Sequence, residues 1–122
     1  MNLSEIRNIL NAIVLTDEDA LQKTVACAYC ADLMSDVLSF SVTNSLLITG
    51  LTNTQVIRTA EMAAIEMIVF IQNKRPDIQT IKLAEEKHIP LLVTAFSMFD
   101  ACGRLYEKGL RSLARASVIH RA

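Results

Sequence analysis

The chain has 122 residues, of which 52% are hydrophobic and 20% charged, and its formal net charge is −1. That length suits one domain, with enough apolar material for a core and some left over for a partner surface. The near-neutral balance excludes a general attraction to nucleic acid, and no apolar run approaches the roughly 20 residues of a membrane span.

The first residues, MNLSEIRNIL, lack the basic region and unbroken apolar stretch of a secretory signal. Leu3, Ile6, Ile9, Leu10 and Ile13 instead recur at helical spacing, and Asn2 with Glu5 three residues on makes a capping pair. This helix runs into a short strand at 12–15, and TDEDALQK (16–23) reads as a polar loop. TVACAYC (24–30) is short, apolar and flanked by polar residues, which reads as a buried strand. Asp32 is placed to cap a helix with Leu33, Val37 and Leu38 on its inner face.

SLLIT (45–49) is a second buried strand, broken by Gly50. TNTQ (52–55) matches a T-x-x-Q capping box, and Val56, Ile57, Ala60 and Ala64 follow as an inner stripe. EMIVFI (66–71) is the clearest strand, and QNKRPD (72–77) a turn with Pro76 suited to the first helical position. Ile78, Ile81 and Ala84 face inward on the next helix, which ends at EEKH without a glycine. His tolerates left-handed backbone angles, so His88 reads as a helix terminator rather than a catalytic group. Residues 90–93 form the last strand. Thr94 or Ser97 caps a final helix carrying Met98, Cys102, Leu105 and Tyr106, which stops at Lys108-Gly109.

Strands that are apolar throughout, alternating with helices, are covered on both faces. The expected fold is a single-domain α/β structure with a mostly parallel sheet flanked by helices. Several segments together, ADLMSDVLSF, LLITGLTNTQVIRTAEM, MIVFIQNKRPD and LAEEKHIPLLVTAFSMFDACGRLYEKGL, resemble the DRTGG domain family. The resemblance implies a fold like the N-terminal domain of HPr kinase, over a domain spanning 1–110, with 111–122 a basic C-terminal tail or short helix. It implies a regulatory or assembly module that pairs as a homodimer. Similar domains stand beside nucleotide-binding modules in larger proteins, and small stand-alone members occur in anaerobic bacteria, which extends the implication to anaerobic energy metabolism. The literal pentapeptide DRTGG is absent, TGLTN and IRTAE standing in the corresponding region, and no G-x-x-x-x-G-K-[ST] phosphate loop is present.

CAYC at 27–30 has the spacing of a redox pair or half a zinc site. On a strand, however, Cys27 and Cys30 point to opposite faces. Cys102, His88 and His120 supply no paired spacing for a metal. Three cysteines is an odd number, which argues against a disulfide framework and for a reducing, cytoplasmic compartment. Asp32 and Asp36 share a helix face, but capping already accounts for an acid there. No nucleophile, base and orienting group come together, so the expectation is a protein without catalytic residues, metal or cofactor.

The candidate site is the row of loops after the strands, where open parallel sheets bind ligands. It comprises Thr49, Gly50, Thr52 and Asn53 after one strand, Lys74 and Arg75 after the next, and Thr94 and Ser97 after the last. Their expected ligand is an adenine nucleotide or another phosphorylated small molecule. The tail GLRSLARASVIHRA (109–122), with Arg111, Arg115 and Arg121 and no acid, suits docking on an unknown protein partner or an anionic surface.

Overall fold

The computed structural model describes residues 1–112. Along the chain run α1 (Leu3–Leu10), β1 (Ile13–Val14), a 3₁₀ turn (Glu18–Ala20), β2 (Cys27–Cys30), α2 (Met34–Phe40) and β3 (Ser45–Thr49). α3 (Thr54–Met62), β4 (Met67–Phe70), α4 (Ile78–Glu86), β5 (Leu91–Val93) and α5 (Met98–Glu107) follow. The strands form one sheet in the order β1-β5-β4-β3-β2. β2 to β5 are parallel neighbours, and β1 joins β5 antiparallel.

Alternation along the strands decides which helices cover which face. Leu46, Ile48, Met67, Val69 and Leu92 pack with Leu3, Ile6 and Leu10 of α1 and Ala101 and Leu105 of α5. Leu47, Ile68, Phe70, Leu91 and Val93 pack with Val37 of α2, Val56, Ile57 and Ala60 of α3 and Ala84 of α4. Because both faces are covered, every residue of β3, β4 and β5 is buried. Each fully buried Leu, Ile or Phe contributes about 1.5–3 kcal/mol. This is the expected single-domain, mostly parallel α/β fold.

Local signals act largely as read. Asn2 and Glu5 form a complete capping box, Glu5 N–H donating to Asn2 Oδ1 at 2.8 Å and Asn2 N–H to Glu5 Oε1 at 3.1 Å. His88 ends the α4 segment with φ 58°, and Ala64 after α3 adopts φ 56°. The residues before β2 are pinned to the N-terminus, Leu3 N–H donating to Lys23 O and Val25 N–H to Met1 O, both at 2.9 Å.

Several expectations need correction. Asp32 does not cap α2, whose N-cap is Leu33 with no side-chain bond. Leu33 is 60% exposed and Leu38 is also exposed, leaving Val37 as the buried residue of that helix. β2 is an edge strand, half covered rather than buried. Asn53 rather than Thr52 caps α3, accepting Val56 N–H at 3.3 Å. Ala64 lies outside that helix and is exposed.

Asp77 caps α4, so Pro76 precedes the cap instead of opening the helix, and Ile78 is 67% exposed. Ser97, not Thr94, caps α5. On α5 the innermost residues are Ala101 and Leu105, Met98 and Cys102 are half-buried, and Tyr106 is exposed. Of the tail, Arg111 O accepts the Ala28 N–H of β2 at 3.0 Å. Residues 113–122, including Arg115, His120 and Arg121, lie outside the described residues.

Candidate ligand-binding rim

Four parallel strands ending on one edge place their following loops in a row, and the structure has this row. Asp32 follows β2, Thr49-Gly50 ends β3, Lys74-Arg75 follows β4, and Thr94 to Ser97 follow β5. At its centre Asp32 Oδ1 accepts the Thr49 hydroxyl at 3.0 Å and the Gly50 N–H at 2.8 Å. Thr49 Oγ1 in turn accepts Leu51 N–H at 3.2 Å. Lys74 Nζ overhangs the same glycine. A Cβ there would lie 3.3 Å from Nζ and 3.5 Å from Asp32 Oδ1, so the absence of a side chain lets a cation and an acid approach one backbone.

The loop after β4 leads to α4 on one face of the sheet, and the loop after β5 leads to α5 on the other. Such a divergence opens a crevice between adjacent strand ends, the usual place for a ligand. Here the crevice is closed by backbone bonds, Gln72 N–H donating to Phe96 O and Asn73 N–H to Thr94 O, both at 2.9 Å. Gln72 and Asn73 each take φ 55° to reach across. Thr94 is buried and turned inward, its hydroxyl donating to Leu10 O at 2.7 Å and accepting Phe96 N–H at 3.3 Å.

The expected site residues therefore divide. Thr49, Asn53, Thr94 and Ser97 are engaged by Asp32, Val56, Leu10 and Asp100 respectively. Gly50 lends its N–H to Asp32. Lys74 and Arg75 are exposed and pair with no carboxylate among the described residues, whereas Lys23 and Lys87 are paired with Glu66 and Glu61. Thr52 is half-buried in the loop between β3 and α3. Thr54 and Gln55, in the first turn of α3, have N–H groups without an intrahelical acceptor. The rim thus offers two unpaired cations and a helix start, with an acid beside them.

Three features escape a reading by spacing. A cavity of about 300 Å³ opens at the opposite end of the sheet, lined by Thr16, Asp17, Asp19, Lys23, Glu85 and His88. Lys23 is committed there, donating to His88 O at 2.8 Å and pairing with Glu66 at 3.2 Å. Asp32, expected as a cap, is the hub of the rim. And Cys30 meets Cys102. Cys27 and Cys30 do point to opposite faces, Cys27 buried near Ser45 Oγ at 3.3 Å and Cys30 exposed. Cys30, however, shares a groove with Cys102 of α5, far along the chain. That thiol draws Cys30 down from the ordinary thiol range to about 7 against the opposing effect of burial. Cys102 is pushed up by its bond to Cys30, by burial and by the neighbouring charge. No group of three His, Cys, Asp or Glu side chains among the described residues could hold a metal ion.

A mostly parallel sheet with helices on both faces and loops gathered at one rim defines a single α/β domain. A family model for the DRTGG domain matches residues 5–107, and the chain belongs to that family. Its fold is similar to a crystal structure of the CBS and DRTGG domains of the regulatory region of Clostridium perfringens pyrophosphatase, complexed with the activator diadenosine tetraphosphate. The TM-score is 0.69 at 14% identity, over 85% of this chain and 45% of that one. The chain therefore spans less than half of that regulatory region. No curated protein sequence matches it.

Proposed function

We propose that the chain is a non-catalytic regulatory domain whose rim binds an adenine nucleotide or another phosphorylated small molecule. The observation that carries this reading is the pair Lys74 and Arg75, cations without a carboxylate partner among the described residues, with Lys74 Nζ overhanging Gly50. Phosphate oxygens are the natural counterpart of such a pair. The similarity to a regulatory region bound to diadenosine tetraphosphate supports the adenine class. The rim holds no set of nucleophile, base and orienting group, which supports a sensing role over a chemical one.

Calorimetric titration with diadenosine tetraphosphate, ATP, AMP and inorganic phosphate tests this. Saturable binding to at least one, weakened about tenfold or more in the Lys74→Ala/Arg75→Ala double variant, is the expected result. Binding unaffected by that double variant removes the rim as the site, and no binding to any of the ligands removes the reading.

A second reading, compatible with the first, is a homodimer. Phe99 is 87% exposed and Tyr106 60%, and with Met98 they make an apolar face on α5 beside edge strand β2. Large apolar side chains gathered on one face suit a covered surface. Light scattering at low micromolar concentration should give the dimer mass, and Phe99→Ser should lower it. A ligand that prefers one dimer arrangement would then couple sensing to assembly. Three unpaired cysteines fit a reducing, cytoplasmic setting, and the basic composition of residues 111–122 suits an unknown protein partner.

A further inference from the structure

Cys30 ends edge strand β2, paired in register with Ile48 of β3. Cys102 sits on α5, the helix that packs across β3. Both cysteines stand on the side of the sheet that α5 covers, and both line one groove of about 170 Å³ together with Ile48, Leu105, Tyr106 and Arg111. Arg111 is the charged side chain on that groove, its guanidinium stacked 3.6 Å from the Tyr106 ring centroid. Asp32, two residues beyond Cys30, is occupied by Thr49 and Gly50. Cys30 is exposed and Cys102 half-buried, so one sulfur is open to solution and the other waits behind it.

We propose that Cys30 and Cys102 are a reactive dithiol that a small peroxide converts into an intramolecular disulfide, tying edge strand β2 to α5. The Cys30 thiolate attacks one oxygen of hydrogen peroxide. The O–O bond breaks, a sulfenic acid forms, and the departing hydroxide takes up a proton as water. The Cys102 sulfur then attacks Cys30 Sγ. The S–O bond breaks, the S–S bond forms, and hydroxide leaves with the Cys102 proton as a second water. Two thiols and one peroxide give one disulfide and two waters, the sulfurs losing the two electrons that the peroxide gains.

The roles follow from the environment. A thiol that accepts a hydrogen bond from its neighbour is ionised more readily, and an exposed thiolate is the attacking partner. The donor is correspondingly harder to ionise and acts second. Cys27, buried on the other face and in contact with Ser45, takes no part. The crosslink would also lie under the apolar face that Phe99 and Tyr106 present, so oxidation would alter that surface. This inference rests on the α5 side of the sheet and is independent of ligand binding at the rim.

The test is stoichiometric peroxide on the full chain under native conditions, followed by non-reducing peptide mapping. The expected result is a Cys30–Cys102 crosslinked peptide, loss of two free thiols per chain, and reversal by dithiothreitol. Cys102→Ala should leave a Cys30 sulfenic acid that dimedone traps, and Cys30→Ala should leave Cys102 unmodified. In wild type, iodoacetamide labelling of Cys30 should be half-maximal near pH 7; in Cys102→Ala it should move up toward the ordinary thiol range, about pH 8.5. That readout stands even where a variant is less stable. An intermolecular crosslink, overoxidation of Cys30 with Cys102 left free, or no pH shift on removing Cys102 would overturn the proposal.

Discussion

The Asp32 carboxylate, two residues past the end of edge strand β2, accepts the hydroxyl of Thr49 at the end of β3 across 3.0 Å. It takes the Gly50 N–H as well, at 2.8 Å. One acid thus ties two adjacent strand ends together and fills a backbone donor that an anion could otherwise use. Asp32→Asn keeps an acceptor and removes the charge beside Lys74. The expected outcome is tighter binding of a phosphorylated ligand, by about fivefold, from the loss of repulsion. Asp32→Ala should lower stability by about 1 kcal/mol through the lost bonds. Calorimetric titration and urea unfolding check the two effects separately.

Gly50 and Gly103 should respond oppositely to alanine. At Gly50 the new methyl would meet Lys74 Nζ at 3.3 Å, the mobile end of a long side chain, so the fold tolerates it and the ammonium shifts. Stability should change by less than about 1 kcal/mol while ligand affinity falls several-fold. Gly103, inside α5, has nothing within 4 Å of its would-be Cβ. Gly103→Ala should stabilise by about 0.5–1 kcal/mol through helix propensity alone. Denaturant midpoints measured side by side decide this.

Thr94 and Ser97, expected as equivalent rim hydroxyls, should separate sharply. Thr94→Val leaves the Leu10 carbonyl and the Phe96 N–H without their buried partner, at a cost of about 1–3 kcal/mol. Ser97→Ala removes an exposed helix cap, which costs about 1 kcal/mol. Equal losses in urea unfolding would contradict the inward role of Thr94.

Asp77 supplies the pH dependence. The Thr80 backbone N–H, with further bonds from the Thr80 side chain and Gln79 N–H, holds its carboxyl below the usual carboxylate range. A folded-state pKa below the unfolded one means that the stabilisation is present above the unfolded value. It is lost as the pH falls through the folded one. The melting temperature should therefore drop from about pH 5 downward, as the cap protonates. Asp77→Asn, which still caps, should flatten that part of the profile. An unchanged slope would assign the acid sensitivity to other carboxylates.

Much of the molecule could be read before any coordinates. The strands at 45–49, 66–71 and 90–93 were legible because a strand covered on both faces is built from a nearly continuous apolar run. The Asn2–Glu5 capping box and the left-handed turn at His88 were legible because they depend on neighbours within a few residues. The errors cluster where a helix or strand lies at the margin of the sheet. Leu33, Leu38, Ile78 and Tyr106 carry helical spacing and apolar side chains, yet each is exposed. Spacing reports which residues share a face, not how far the covering sheet extends.

The rim shows the same boundary. Order and type of residue determined that Thr49, Lys74 and Thr94 would follow successive parallel strands, since the direction of a βαβ unit sends each loop to one edge. Only the packed chain decided that Asp32 would cross to Thr49, that Thr94 would turn inward to Leu10, and that Cys30 would share a groove with Cys102. These are contacts between elements far apart in sequence. They depend on the register of β2 against β3 and on where α5 lies across the sheet, and neither quantity leaves a periodic trace in the residues that obey it.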